Sequence, residues 1–245
     1  MEVSKKVEFI KNWILNYVNS MPSKAQSLVI GVSGGIDSSV SSTLSAMTGL
    51  KTFAISMPIK QKNFQHELSL KHQEWLKKNF KNVNGYTIEL DNLFNTFEKT
   101  LSNFNNEHGM ANSRARLRMS TLYQVAAANN GIVVGTGNKV EDFGVGFYTK
   151  YGDGGVDISP IADCNKTEVW ELGKELNILK EIIEAPPTDG LWDDGRTDEG
   201  QLGLSYNELE EAMDNENSIN RDKYIEIRNA NLHKMDPIPV CKIPK

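Results

Sequence analysis

The sequence predicts an α/β protein built on a doubly wound parallel sheet, and three observations carry that expectation. Apolar runs that read as strands alternate with amphipathic runs that read as helices along most of the chain. One such run, residues 131–135 (Gly-Ile-Val-Val-Gly), is short and fully apolar, the pattern of a strand buried on both faces of a parallel sheet. Another, ending at Gly31, passes through a Ser-Gly-Gly turn into a segment that can be helical, the strand, loop and helix start that bind anions in such sheets. A Rossmann-like arrangement follows, with helices on both faces and ligands at the carboxyl ends of the strands.

In chain order, Val7, Ile10, Ile14, Tyr17 and Val18 recur at helical spacing, so residues 3–19 read as a helix closed by Met21-Pro22-Ser23. A strand ends at Gly31, a helix covers about residues 38–47, and residues 51–57 form a second strand stopped by Pro58. Leu68, His72, Trp75, Leu76 and Phe80 mark the next helix, with His72 expected on its surface because no other metal-binding side chain stands at ligand spacing. Residues 85–90 alternate as a third strand, Leu93, Phe94, Phe97 and Leu101 form a helical face, and the Asn-rich residues 102–109 read as a polar loop. A long helix then leads to the strand at residues 131–135. Residues 136–160 make a long, glycine-rich connection, and connections of that length in compact domains usually carry function. Helices are expected at residues 168–176, 209–213 and 224–232, with a polar loop over residues 185–200.

The 245 residues suit one domain spanning residues 1–245, with no repeat and no dividing linker. Hydrophobic residues at 39% and charged residues at 24% predict a packed globule rather than a disordered chain. A net charge of −5 argues against nucleic-acid and anionic-membrane partners. Cys164 and Cys241 are too far apart in sequence for a C-x-x-C redox or zinc pair and read as reduced bystanders. The amphipathic start is no signal core and no stretch is long enough to span a bilayer, so a cytoplasmic location is expected.

The loop from Gly31 through Val32, Ser33, Gly34, Gly35, Ile36 and Asp37 to Ser38 carries the most chemistry. Adjacent glycines permit positive φ and remove the Cβ atoms that keep a phosphate off the backbone, and the following helix adds free N–H donors at the positive end of its dipole. Asp37 would repel an anion there unless it holds a divalent cation, a role Mg²⁺ fills with one or two carboxylates beside substrate phosphates. The plain alternative is a Gly-Gly turn with Asp37 or Ser38 as an ordinary N-cap. No lysine closes the loop, which excludes the P-loop pattern, and the dinucleotide fingerprint is absent.

Arg114, Arg116 and Arg118 stand at every second position, so on a helix they cannot all face one anion. Thr136 and Glu141 follow a buried strand and fall at the sheet's ligand edge, where Glu141 is a candidate second carboxylate for the cation of Asp37. Residues 147–157 combine aromatics, Lys150, Asp153, Asp157 and three glycines, poor material for a core and good material for a pocket.

Ser33-Gly34-Gly35-x-Asp37-Ser38 resembles the pyrophosphate loop of the ATP pyrophosphatase superfamily, with its adenine nucleotide alpha hydrolase-like fold. With Asn112 through Met119, Gly135-Thr136 through Glu141 and Thr149-Lys150-Tyr151-Gly152-Asp153-Gly154-Gly155 in order, the chain resembles the ammonia-dependent NAD synthetases from Gly31 to about Lys234. These ligases adenylate the nicotinate carboxylate of deamido-NAD with ATP and let ammonia displace AMP. The resemblance implies that residues 31–38 cradle the pyrophosphate and that Asp37 and Glu141 hold Mg²⁺. It makes Thr136, Lys166 and Thr188 further ATP contacts, with Lys166 catalytic. Arg116, Lys150, Asp157 and the pair His233-Lys234 fall where the family binds deamido-NAD, and Asp153 where it handles ammonia. The segment Pro186-Pro187-Thr188-Asp189-Gly190 departs from the Pro-Thr-Ala-Asp of some members.

The resemblance further implies a homodimer, and the lack of any amidotransferase-like stretch points to free ammonia or nitrogen from a separate protein rather than a glutaminase domain. Two other readings compete: a different ATP pyrophosphatase, such as a GMP synthetase-like or tRNA-thiolating enzyme, and a non-catalytic ATP-binding sensor. The thiolating reading needs catalytic cysteines and a basic surface. A sensor needs fewer charged groups than Asp37, Glu141, Lys150 and Lys166 together. An acyl adenylate must be shielded from water, so residues 102–111 and 188–200 are expected to close over the substrates. Both segments should lose protease sensitivity when ATP and deamido-NAD are added; cleavage at the same rate with and without them would overturn the expectation.

Overall fold

The structure, a computed structural model, describes residues 1–61, 63–188 and 197–244. Four parallel strands, β1 (Ser27–Gly31), β2 (Lys51–Ser56), β3 (Val83–Thr87) and β4 (Gly131–Val133), form one sheet in the order β3-β2-β1-β4. In register, Ser27 of β1 lies between Lys51 of β2 and Gly131 of β4. The chain thus leaves β1 toward β2 and β3 and returns on its other side as β4. The carboxyl ends of β1 and β4 form the crevice where open α/β sheets bind ligands. A parallel bridge from Val134 to Ile158 brings the chain back beside β4 after the glycine-rich connection.

The helices are α1 (Val3–Ser20), α2 (Ile36–Met47), α3 (Asn63–Asn79), α4 (Asp91–Thr100), α5 (Glu107–Ala128), α6 (Lys166–Glu175), α7 (Lys180–Ile183), α8 (Asp198–Leu202), α9 (Tyr206–Asp214) and α10 (Arg221–Met235). Alternation along β1 separates the two faces of the sheet. Leu28 and Ile30 pack with Ile14 of α1, Val40 and Leu44 of α2 and Val169 and Leu172 of α6. Val29 points the other way, among Phe94 of α4, Met119 and Leu122 of α5 and Val133 of β4. A third cluster joins Val140 and Val145 of a π-helical turn (Lys139–Val145) to Tyr206 and Leu209 of α9 and Tyr224 of α10. Each fully buried aliphatic or aromatic side chain in these clusters contributes on the order of 1.5–3 kcal/mol.

The alternation of helices and strands is as the sequence predicts, with local differences that have physical causes. The third strand runs over Val83–Thr87 rather than residues 85–90, because Val83 registers with Thr52; Ile88 and Leu90 still donate to Ser56 and Pro58 carbonyls past its end. Residues 102–109 are not a loop throughout: a 3₁₀ turn covers Ser102–Phe104, and α5 begins at Glu107 because the Asn106 side chain accepts from Gly109 N at 2.8 Å. α2 is buried on nearly every side despite its serines. The hydroxyls of Ser39, Ser42, Thr43 and Ser45 donate to carbonyls three or four residues back, which satisfies them inside the helix.

His72 is the main correction. Expected on a helix surface, it is completely buried where α3 meets α2. Its Nε2 lies 2.9 Å from Ser42 Oγ and its ring stacks on Trp75. The serine-rich face of α2 gives this contact no apolar signature. Burial lowers the imidazole from its ordinary 6.5 to about 4, against the smaller opposing effect of the Ser39 backbone carbonyl, which favours the protonated ring. Between those values an unfolded chain binds a proton that the fold refuses. The stability owed to neutral His72 is therefore whole above pH 6.5 and falls as pH drops toward 4. The slope is at most about 1.4 kcal/mol per pH unit. His72→Gln, which keeps a partner for Ser42, should lose less stability than the wild type between pH 7 and pH 5 in urea titrations; parallel losses would overturn this account.

Candidate active site

The loop between β1 and α2 lies at the mouth of the crevice. Ser33 N and Ser33 Oγ both meet Ser38 Oγ, at 3.2 and 3.0 Å, and Gly35 N donates to Ser33 Oγ, so the loop curls on its own hydroxyls. Of the two glycines only Gly34 needs its freedom: φ is +90°, and a Cβ there would stand 2.6 Å from Gln65 O and 2.8 Å from Ser69 N of α3. Gly35 is extended and precedes the first turn of α2, whose N–H groups open toward the crevice.

Asp37 in that first turn faces Glu141 of the π-helical turn, and Lys166 at the start of α6 stands between them. Lys166 Nζ lies 2.5 Å from Asp37 Oδ2 and 2.8 Å from Glu141 Oε1, with only 2% of its side chain exposed. Burial alone would lower this ammonium, but Asp37 and then Glu141 outweigh it and hold it well above the ordinary lysine value, so it is charged at every working pH. At Glu141 burial works upward, yet Lys166 and the Tyr206 hydroxyl hold the carboxyl below its usual range. Asp37 is raised by burial and by repulsion from Glu141 against the pull of Lys166.

Two carboxylates therefore converge on one cation position beside the anion loop. Among the described residues no group of three or more His, Cys, Asp or Glu has metal-holding geometry. Two hard oxygen donors next to a phosphate cradle are what Mg²⁺ uses when substrate supplies the remaining ligands. The residues present fit that ion.

A second assembly lies where α10 crosses the glycine-rich connection. Lys234 Nζ donates to Tyr148 O at 2.7 Å, Tyr148 OH donates back to Lys234 O at 2.7 Å, and Lys150 Nζ reaches His233 O at 3.5 Å. Arg116 Nε donates to Lys150 O at 3.2 Å, while Thr149 Oγ1 donates to Asn112 Oδ1 at 2.6 Å. Arg116, Lys150, His233 and Lys234, far apart in sequence, thus come together. Arg114 and Arg118 turn to the other side of α5, one stacked over Phe94 and the other donating to Met57 O.

Asp153 accepts from Thr149 N at 2.9 Å inside this turn. Asp157 stands apart: its carboxylate accepts from Val133 N at 2.7 Å and from Tyr123 OH at 3.1 Å, bracing β4. Thr136 follows β4 at the crevice, half-buried. Thr188 is described, but most of the segment expected at residues 188–200 lies outside the described residues, which resume at Thr197 and α8.

Three site residues escaped the sequence reading. Asn138 is fully buried and acts as a bracket: Oδ1 accepts from Val140 N and Glu141 N, while Nδ2 donates to Asp37 Oδ1 at 3.1 Å. Tyr206 OH donates to Glu141 Oε1 at 2.5 Å, and its ring packs edge-on against Trp170 with Lys166 Nζ 4.9 Å from its centre. Asp142 borders a cleft of about 250 Å³ shared with Tyr148, Arg228 and Asp236. Burial, then Asp153 and Glu141, raise its carboxyl well above the ordinary range. Only Asn138 carried a signal, an N-cap residue directly after Gly135-Thr136-Gly137. Asn138→Ala should cost on the order of 1–3 kcal/mol by stranding buried N–H groups and releasing Asp37, seen as a lower urea midpoint and weaker ATP binding; unchanged values for both would overturn its role as a bracket.

The NAD synthase family model matches residues 6–239. An NH(3)-dependent NAD(+) synthetase of Alkaliphilus oremlandii is 36% identical, covering 98% of each chain. Among solved structures, an NMN synthetase from Francisella tularensis superposes with a TM-score of 0.90 at 32% identity, over 99% of this chain and 100% of that one. An NH3-dependent NAD synthetase from Campylobacter jejuni in complex with the nitrate ion superposes at 0.79 and 26% identity, over 99% and 100%. The family model and the Alkaliphilus relative each match nearly the whole length: this chain belongs to the NAD synthase family.

Proposed function

We propose that the chain is an ammonia-dependent NAD synthetase, a ligase that forms a C–N bond and releases AMP and pyrophosphate. The observation that carries the reading is the Asp37–Lys166–Glu141 bridge at the mouth of the anion loop, because adenylation of a carboxylate must hold two anions together while a third leaves. In this reading residues 31–38 hold the pyrophosphate through the loop and the α2 N-terminus, with Thr136 and Thr188 beside the nucleotide. Asp37 and Glu141 would hold Mg²⁺, which supplies charge neutralisation on the phosphates.

Lys166 steadies the charge that grows on pyrophosphate as an oxygen of the nicotinate carboxylate bonds to the α phosphorus and the bond to the β-phosphate oxygen breaks. Arg116, Lys150, His233 and Lys234 face the deamido-NAD substrate with four cationic or polar side chains on one surface. Asp157 contributes by bracing β4. Asp153 binds ammonium and takes its proton; the freed ammonia attacks the acyl carbon and AMP departs. The family resemblance supports a homodimer, and the absence of any helix long and apolar enough to cross a membrane among the described residues is compatible with work in the cytoplasm.

A second reading concerns the acceptor. The structural match to an NMN synthetase, at a TM-score of 0.90, favours a mononucleotide as an alternative substrate, amidated by the same chemistry. Incubation with ATP, Mg²⁺ and ammonium should convert deamido-NAD to NAD with stoichiometric AMP and pyrophosphate by mass analysis. Asp37→Ala should lower the rate at least about a hundredfold. A kcat/KM higher for nicotinate mononucleotide than for deamido-NAD would replace the substrate and keep the chemistry. ATP cleavage only with xanthosine monophosphate, or ATP binding without cleavage for any acceptor, would overturn the reading.

A further inference from the structure

The bridge at the mouth of the loop has a property that adenylation does not require. Three of the four oxygens of its two carboxylates already have donors. Asp37 Oδ2 takes Lys166 and Asp37 Oδ1 takes Asn138 Nδ2, while Glu141 Oε1 takes both Lys166 and Tyr206 OH. A divalent ion held jointly by Asp37 and Glu141 would compete with these donors for the space between the two carboxylates. Asn138 is locked by the N–H groups of Val140 and Glu141, and Tyr206 is wedged against Trp170 and within 3.2 Å of Asp198 Oδ2. Lys166 is different. It hangs on four rotatable bonds from the first turn of α6, and its ammonium stands between both carboxylates.

We propose that Lys166 is the resident cation of the Asp37–Glu141 pocket in the nucleotide-free enzyme. Transfer of the lysine side chain to the phosphates of ATP would free Asp37 and Glu141 to hold a divalent ion in its place. The proposal rests on the reading of Asp37 and Glu141 as metal ligands and adds an order of events. Two buried carboxylates repel each other unless a positive charge lies between them, and the ammonium supplies it within hydrogen-bond distance of both. The faces of Tyr206 and Trp170, 4.9 and 6.0 Å from Nζ, complete a cage that suits an ammonium. With ATP bound, the triphosphate offers the lysine a new partner and the vacated pocket faces a doubly charged ion. Lys166 thereby makes metal binding conditional on the nucleotide, and by linkage the metal tightens the nucleotide by the same factor.

The test is Mn²⁺ binding to nucleotide-free protein, followed by electron paramagnetic resonance. Wild type should show weak binding. Lys166→Met, which keeps the packing against Trp170 and Tyr206, should bind one Mn²⁺ per chain at least tenfold more tightly, and adding Asp37→Asn should abolish the gain. If Lys166→Met does not fold alone, Lys166→Gln is titrated in its place, and Mn²⁺ should raise its melting temperature by more than it raises that of the wild type. A folded Lys166→Met protein with wild-type Mn²⁺ affinity would overturn the exchange. Asp37→Asn distinguishes the two possible failures: if its turnover keeps the wild-type dependence on Mg²⁺, the metal reading itself falls, whereas loss of that dependence beside an unimproved Lys166→Met removes only the exchange.

Discussion

The contact of Lys166 with Asp37 and Glu141 is the constraint on which the rest of the site depends. Breaking a buried ion pair by removing one partner costs roughly 3–5 kcal/mol, because a desolvated charge is left without compensation. The three residues come from α2, the π-helical turn and α6, so one ammonium ties the start of α2 to the segment after β4 and to the helix that follows the glycine-rich connection. Asn138 and Tyr206 then fix the carboxylates that the lysine joins. Polar groups, fully partnered, do here what apolar side chains do in the clusters on either face of the sheet.

The geometry of the sheet explains why these groups meet. β1 and β4 are neighbours in space although about a hundred residues separate them, and the loops at their carboxyl ends diverge to opposite sides. A helix start with free N–H groups and a turn bearing Glu141 therefore face each other across the crevice. The second, more basic assembly around Lys150 and Lys234 is held by backbone carbonyls, with Lys234 and Tyr148 each donating to the other's chain. That arrangement gathers two ammonium groups on one surface.

The fold class and the strand, glycine turn and helix around Gly34 were legible in the sequence because they rest on local signals: the period of apolar residues and a glycine turn between a strand and an acid. Gly34 shows the limit of that logic, since its glycine is demanded as much by the backbone of α3 as by any phosphate. Lys166 and Glu141 became legible only through ordered motifs and the family resemblance, for no spacing rule links residues from three elements. Tyr206 left no trace at all. It looks like one more aromatic in an amphipathic helix, and its hydroxyl acquires meaning only when α9 folds back onto the π-helical turn. His72 was misread for the same reason, because the surface that buries it is made of serines.

The reach of Tyr206 bears on how the chain matures. Asp37 emerges early in synthesis, Glu141 and Lys166 follow past the midpoint, and Tyr206 comes among the last elements, yet all four share one pocket. Domains generally fold as units during translation. An emerging amino-terminal half holds β1, β2 and β3 but neither β4 nor the counter-charge that Asp37 meets in the folded pocket. The pocket that joins Asp37, Glu141, Lys166 and Tyr206 therefore takes its final form only once α6 and α9 pack against α2 and the π-helical turn.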